Sequence, residues 1–107
     1  MSDSTGVQTE WVPHFPGMLR RTLVDGEKLM LVQVKLATGA VVPRHQHPHE
    51  QASYVLSGRV RFHLNDQPAE VTAGGSIHFP SNAQHEALAL EESLVLDVFS
   101  PPREDFR

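Results

Sequence analysis

The apolar residues of this chain recur at every second position, in short runs. In RVRFHL, residues 59–64, the apolar Val60, Phe62 and Leu64 alternate with two arginines and a histidine. Successive side chains of a β-strand point to opposite faces, so this pattern predicts a strand with one buried face. Five further segments have the same pattern or are apolar on both faces: 29–36, 54–57, 76–79, 85–90 and 93–99.

Turn-forming residues separate these runs. Glycine, proline, asparagine or aspartate occurs at 25–26, 39, 43, 58, 65–66, 74–75 and 80. Residues 18–36 predict a hairpin that turns at Asp25–Gly26. No window of about a dozen residues has a helical stripe. About eight or nine short strands with regular turns therefore predict an all-β sandwich or barrel.

The chain has 107 residues, enough for one domain with one core. We expect residues 1–10 to form a loose N-terminal arm and residues 11–107 to form the single domain. There is no membrane-length apolar run, no signal peptide and no cysteine, which together favour a cytoplasmic protein. Its net charge is −4 and its basic residues are scattered, which argues against nucleic acid as a partner.

The segment HQHPHEQ, residues 45–51, has three histidines at alternate positions. If residues 45–47 are extended, His45 and His47 point the same way and can bind one metal ion together. A solvated loop is the alternative, but three patterned histidines favour the metal. Pro48 lets the chain turn before His49, which we expect to support a ligand from behind or to lie at the pocket rim rather than to bind the metal. The other three histidines, at 14, 63 and 78, are expected to be ordinary surface or strand residues.

The surroundings of this segment resemble the two-part signature of the cupin superfamily. Its first part, G-x5-HxH-x3,4-E-x6-G, matches at Gly39, His45, His47 and Gly58, with Gln51 as a departure. Its second part, G-x5-PxG-x2-H-x3-N, matches at Gly74, Pro80 and His85, with Asn82 and Ala89 as departures. The resemblance implies a small single-domain jelly-roll β-barrel with a divalent metal ion inside.

The ligands that the resemblance implies are His45, His47, Gln51 and His85. Gln51 stands where the family pattern has glutamate and supplies a neutral oxygen, so a bound ion keeps its full charge. Such an ion polarises anionic substrates well but is less suited to higher oxidation states. The metal itself stays open among nickel, zinc, iron, manganese and cobalt.

An aspartate lies within the apolar strand near the C-terminus. In LVLDVFSPPREDFR, residues 94–107, Asp97 and Phe99 share a face, opposite Leu96 and Val98. A carboxylate on the inner face is costly unless it is paired or functional. Either it forms a structural salt bridge with Arg103, or it acts as a general acid or base while Arg103 binds a carboxylate.

The HxHPHEQ and DVFSPPREDF segments together resemble the KdgF-type cupins of pectin and alginate breakdown. The resemblance implies that the chain opens the ring of 4,5-unsaturated uronate monosaccharides to the linear 5-keto-4-deoxyuronate. It also implies that Asp97, Phe99 and Arg103 are the catalytic residues that do not bind metal.

Two other functions stay open from the sequence. One is a metal-dependent oxygenase or another small-molecule cupin enzyme, and the other is a non-catalytic module that binds sugar or metal. For all three the expected partner is a small molecule, and for the first it is an anionic sugar. We also expect a homodimer, in which the apolar N-terminal hairpin could pair across a sheet edge.

Overall fold

A computed structural model describes residues 10–107. The expected arm, residues 1–10, falls outside these residues except for Glu10. The strands are β1 (Val12–Pro13), β2 (Met18–Asp25), β3 (Met30–Leu36), β4 (Val41–His45), β5 (Glu50–Ser57), β6 (Arg59–Leu64), β7 (Gln67–Thr72), β8 (Ser76–Phe79), β9 (His85–Ala89) and β10 (Ser93–Ser100). A short 3-10 helix, Glu104–Phe106, follows.

The strands form two antiparallel sheets. Six strands pair in the order β1-β2-β3-β10-β5-β8, and four pair in the order β4-β9-β6-β7. Residues 10–107 contain no α-helix, and none of their helical segments could span a membrane. The predicted all-β jelly-roll barrel is confirmed, with ten strands in place of the expected eight or nine.

The core lies between the two sheets. On β3 the alternate residues Met30, Val32, Val34 and Leu36 are buried, as the period of two requires. Val60 and Phe62 of β6 contribute from the opposite sheet, so one hydrophobic cluster joins both layers. Because of this packing, one face of β5, β9 and β10 points into the barrel, and these faces carry most of the polar residues of the candidate site.

The predicted hairpin is confirmed. Strands β2 and β3 are antiparallel, and their last paired residues are Asp25 and Met30. The amide of Gly26 donates to the carbonyl of Leu29 at 2.9 Å, which closes the turn.

Gly58 makes the tight connection between β5 and β6. Its φ is +90°, and a Cβ at this position would collide with the carbonyl of Glu92. Only glycine fits there without strain. This connection directly follows β5, which carries Gln51 and Ser53.

Candidate active site

Three histidines converge inside the barrel. His45 ends β4, His85 begins β9, and these two residues face each other across the antiparallel pair. His47 follows two residues after β4 and is 8% exposed. One nitrogen of each ring lies within 4.8 Å of the others, a spacing that suits three ligands of one metal ion.

Each of these rings is held through its Nδ1 atom by a backbone carbonyl. His45 contacts the carbonyl of Pro43 at 2.8 Å, and His85 contacts that of Ala83 at 2.9 Å. His47 contacts the carbonyl of His49 at 3.0 Å. A carbonyl only accepts, so Nδ1 carries the proton in each ring and Nε2 keeps its lone pair for a metal.

The loop that carries His47 is anchored to the turn before β9. The amide of Asn82 donates to the carbonyl of His47 at 2.8 Å. Asn82 has a φ of +63°, so this asparagine takes the left-handed conformation where the family pattern has glycine. The departure at Asn82 therefore leaves the backbone geometry of the motif in place.

Gln51 completes a set of four potential ligands. It begins the inner face of β5 and is 7% exposed. Its Oε1 lies 3.1 Å from Nε2 of His47. With the His47 proton on Nδ1, both of these atoms are acceptors, so their close approach is unfavourable unless a cation lies between or beside them.

The burial of the imidazoles also fits a metal ion. Nε2 of His85 is buried and has no hydrogen-bond partner within residues 10–107. Desolvation lowers the pKa of His85 to about 4, against the weaker raising effect of its bond to Ala83. Desolvation, helped by the charge of Arg103, also lowers the pKa of His47. The rings of His85 and His47 are therefore neutral at pH 7, as metal ligation requires.

Asp97 lies on the inner face of β10, opposite Ser53 of β5. Its Oδ1 accepts a hydrogen bond from the Ser53 hydroxyl at 2.6 Å. Burial raises the pKa of Asp97 to about 6, although the Ser53 bond and the charge of Arg103 act the other way. A carboxyl with this pKa can hold or release a proton near neutral pH.

Arg103 pairs with Asp105. Its Nε and Nη2 donate to the Asp105 carboxylate at 3.2 and 2.8 Å. The structural salt bridge considered for Asp97 does not form within the part of the chain that the structure describes. The guanidinium also lies 4.0 Å from the ring centroid of Phe106 and 5.1 Å from that of Phe99.

One cavity of about 240 Å³ brings these groups together. Six of the seven predicted site residues line it: His45, Gln51, His85, Asp97, Phe99 and Arg103. The seventh, His47, is buried beside Gln51, and its ring centroid lies 5.8 Å from that of Phe99. Phe99 itself is 2% exposed and forms part of the wall. His49 is outside the three-histidine group, and its contribution is the carbonyl that holds His47.

His14 is a cavity residue that the sequence interpretation treated as ordinary surface. It lines the same cavity, and its Nδ1 accepts a hydrogen bond from Nε of Arg20 at 3.3 Å. Its ring also contacts Phe106, with 5.6 Å between the centroids. His14 precedes β2 and has no motif around it, so no sequence signal connected it with residues some 30 to 90 positions away.

Family comparison agrees with this geometry. The cupin domain model matches residues 32–99, which include all three histidines, Gln51 and Asp97. The chain belongs to the cupin family.

Within the cupins, the chain is similar to KdgF proteins. It is 32% identical to the pectin degradation protein KdgF of Dickeya dadantii (strain 3937), over 92% of each chain. The KdgF structure from a Halomonas species superposes with a TM-score of 0.93 at 34% identity, covering 99% of this chain and 100% of that one. An RmlC-like cupin from Shewanella frigidimarina NCIMB 400 gives a TM-score of 0.94 at 32% identity, covering 99% and 97%.

Proposed function

We propose that this cupin opens the ring of 4,5-unsaturated uronate monosaccharides to the linear 5-keto-4-deoxyuronate. The observation that carries the proposal is Asp97, a carboxyl with a pKa near 6 in the same cavity as the three-histidine group. The relative from Dickeya is named as a pectin degradation protein, and the likeness extends over nearly the whole chain. Alginate-derived substrates are included, because the carbons that react, C1, C4 and C5, are the same in these sugars. Unsaturation between C4 and C5 removes the C5 stereocentre at which mannuronate and guluronate differ, and the pectin-derived sugar differs from theirs only at C2.

The cavity suits a small, negatively charged sugar such as an unsaturated monouronate. Its volume of about 240 Å³ is below the roughly 300–1,000 Å³ of pockets that hold drug-sized ligands. Arg103 offers a guanidinium to the C6 carboxylate of the sugar, and Phe99 excludes water from one side. Asp105 already holds Arg103 in one orientation, which lowers the cost of ordering it for a substrate.

The reaction is an isomerisation, so one proton leaves and one returns. The C1 hydroxyl loses its proton, C1 becomes an aldehyde, and the bond from C1 to the ring oxygen breaks. The resulting enolate at C5 is then protonated at C4 and becomes the ketone. As a carboxylate, Asp97 accepts the C1 hydroxyl proton, and as a carboxylic acid it supplies a proton to C4.

We also propose that His45, His47, Gln51 and His85 hold one divalent transition-metal ion. When bound, this ion supplies positive charge for the carboxylate and enolate oxygens of the substrate. All four donors are neutral, so they leave that charge uncompensated. Nickel, zinc, iron, manganese and cobalt all accept such donors.

Ring opening is tested directly with an unsaturated monouronate. The protein should accelerate loss of the conjugated C4=C5 ultraviolet absorbance over the protein-free rate, and NMR should identify the linear keto-acid. A parallel electrode measurement should find no oxygen consumption. Oxygen uptake would point to an oxygenase, and substrate binding without turnover would point to a binding module; either result contradicts the proposal.

The metal centre is tested by elemental analysis of His85→Ala beside wild type. We expect wild type to retain close to one ion per chain after dialysis and His85→Ala to retain far less. His63→Ala is the control, because His63 lies on β6 and is not part of the histidine group. Equal metal content in wild type and His85→Ala would contradict the ligand assignment.

We further propose a homodimer, with cytoplasmic location remaining a prediction from the sequence. Large apolar side chains are exposed on β5, at Tyr54 and Leu56, and beside the hairpin turn, at Leu29. A second copy could cover them or pair along a sheet edge. Sedimentation velocity should give twice the mass of the chain, and a monomer at micromolar concentration would contradict the dimer.

A further inference from the structure

Ser53 links the two halves of the candidate site. It lies on the inner face of β5, two residues after Gln51, and is 1% exposed. Its Oγ lies 3.0 Å from Nε2 of Gln51 and 2.6 Å from Oδ1 of Asp97. A buried hydroxyl therefore bridges a candidate metal ligand and a candidate proton carrier.

The directions of these two hydrogen bonds follow from the groups involved. A serine hydroxyl has one proton, and the short bond to the acceptor Oδ1 of Asp97 uses it. The Ser53 oxygen must then accept from Gln51, so the NH2 end of the amide points toward Ser53. The carbonyl end of Gln51 is left facing Nε2 of His47.

We propose that Ser53 is a positioning residue that fixes which end of the Gln51 amide faces the metal. The inference rests on the metal site proposed above. An amide turned the other way would present two N–H donors to a cation and would give no ligand atom. The histidine rings do not depend on Ser53, because backbone carbonyls orient them.

The first measurement is the affinity for Zn²⁺, by competition with a chromophoric chelator in the absence of substrate. Ser53→Ala should weaken zinc binding by about 10- to 100-fold, the usual effect of losing a group that orients a ligand. Ser93→Ala is the matched control, because Ser93 is a serine 2% exposed on β10 that bonds to Arg59 and Glu91. Its loss should leave zinc affinity unchanged.

A double-mutant cycle separates orientation from general damage. The two oxygens of a carboxylate are equivalent, so a glutamate at position 51 offers a ligand oxygen to the metal in either orientation. Ser53→Ala should therefore reduce zinc affinity by no more than about threefold in a Gln51→Glu background. An equal loss in both backgrounds would overturn the proposal, since Ser53 would then act on the site in some other way.

A pair of variants of equal size covers the case in which Ser53→Ala does not fold. Ser53→Thr keeps the hydroxyl and Ser53→Val replaces it with a methyl group of similar volume. The first should bind zinc within about threefold of wild type, and the second should lose about 10- to 100-fold. Equal affinities for the two would overturn the role of Ser53, while wild-type protein that binds no zinc would overturn the metal site and this inference together.

Discussion

Nε2 of His47 and Oε1 of Gln51 lie 3.1 Å apart, and both are lone-pair acceptors. The proton of the His47 ring is committed to Nδ1 by the carbonyl of His49. A cation nearby relieves the repulsion between these two lone pairs, so the hydrogen bonding within one turn favours the binding of a positive ion at this point.

Gln51→Glu should keep metal binding and weaken turnover. A carboxylate oxygen is at least as good a metal ligand as an amide oxygen, but its charge lowers the Lewis acidity of the ion and repels an anionic substrate. Zinc affinity and turnover of the unsaturated uronate are the two readouts. A variant that binds metal and is as active as wild type would contradict the importance of a neutral donor set.

Asp97→Asn should preserve the fold and the metal while kcat falls by about two to four orders of magnitude. An amide has the shape of the carboxyl but cannot accept and return a proton. Asp25→Asn is the control, because Asp25 lies at the hairpin and pairs with Arg107. In wild type, kcat should fall as pH drops below about 6, because the carboxylate that accepts the C1 proton becomes protonated. If Asp97→Asn has the same kcat as wild type, Asp97 does not act as the acid and base.

Arg103→Ala should raise KM by about 10- to 100-fold with a smaller effect on kcat, as expected when a charge-assisted bond to substrate is present in ground and transition states alike. Arg59→Ala is a control for the loss of one positive charge, because Arg59 pairs with Glu91 at the surface. If kcat falls while KM stays constant, Arg103 acts in the transition state alone, contrary to a binding role.

The stability of the metal-free protein should depend on pH through two opposing groups. The pKa of Asp97 is raised from 3.8 to about 6, so the folded state holds the proton more tightly and its stability falls as pH rises between these values. The pKa of His85 is lowered from 6.5 to about 4, so the unfolded state binds the proton first and stability falls as pH drops through that window.

Asp97→Asn separates these effects, because His85 is common to both proteins. Urea denaturation should show that the unfolding free energy of the variant increases relative to that of wild type as pH rises from about 4 to 6, by up to about 3 kcal/mol. Above that range the difference between the two proteins should stay constant. A difference in unfolding free energy that is flat from pH 4 to 7 would mean that the pKa of Asp97 is not raised by burial.

The sequence predicted most strands, and it predicted that the three histidines would converge, because each depends on local spacing. The resemblance to the cupin signature singled out His45, His47, Gln51 and His85 by their spacing, and the period of two identified β6 and β8 with their exact ends. By contrast, β4 and β7 were missed. Pro43 within β4 suggested a break, and β7 also contains a proline, Pro68. Both strands lie at the edges of the four-stranded sheet, where a missing amide donor is tolerated.

Contacts between distant segments could not be predicted in this way. Nothing in the sequence distinguishes Ser53 from other polar strand residues, because its role depends on its pairing with Asp97 of β10. Arg103 pairs with Asp105, two residues away. The sequence had favoured Asp97 as a possible partner, because a carboxylate on an apolar strand needs one. His14 lines the cavity together with Phe106 of the C-terminal 3-10 helix, whose ring it contacts although the two residues lie at opposite ends of the domain sequence.

The carbonyls that hold the three imidazoles have a thermodynamic consequence. Each ring is already fixed in the folded chain, so the side-chain entropy of the ligands is lost during folding and not when an ion arrives. The hydrophobic core of the barrel includes none of the four proposed ligands. Metal binding should then add stability by mass action alone, with the chain folding first and loading afterwards.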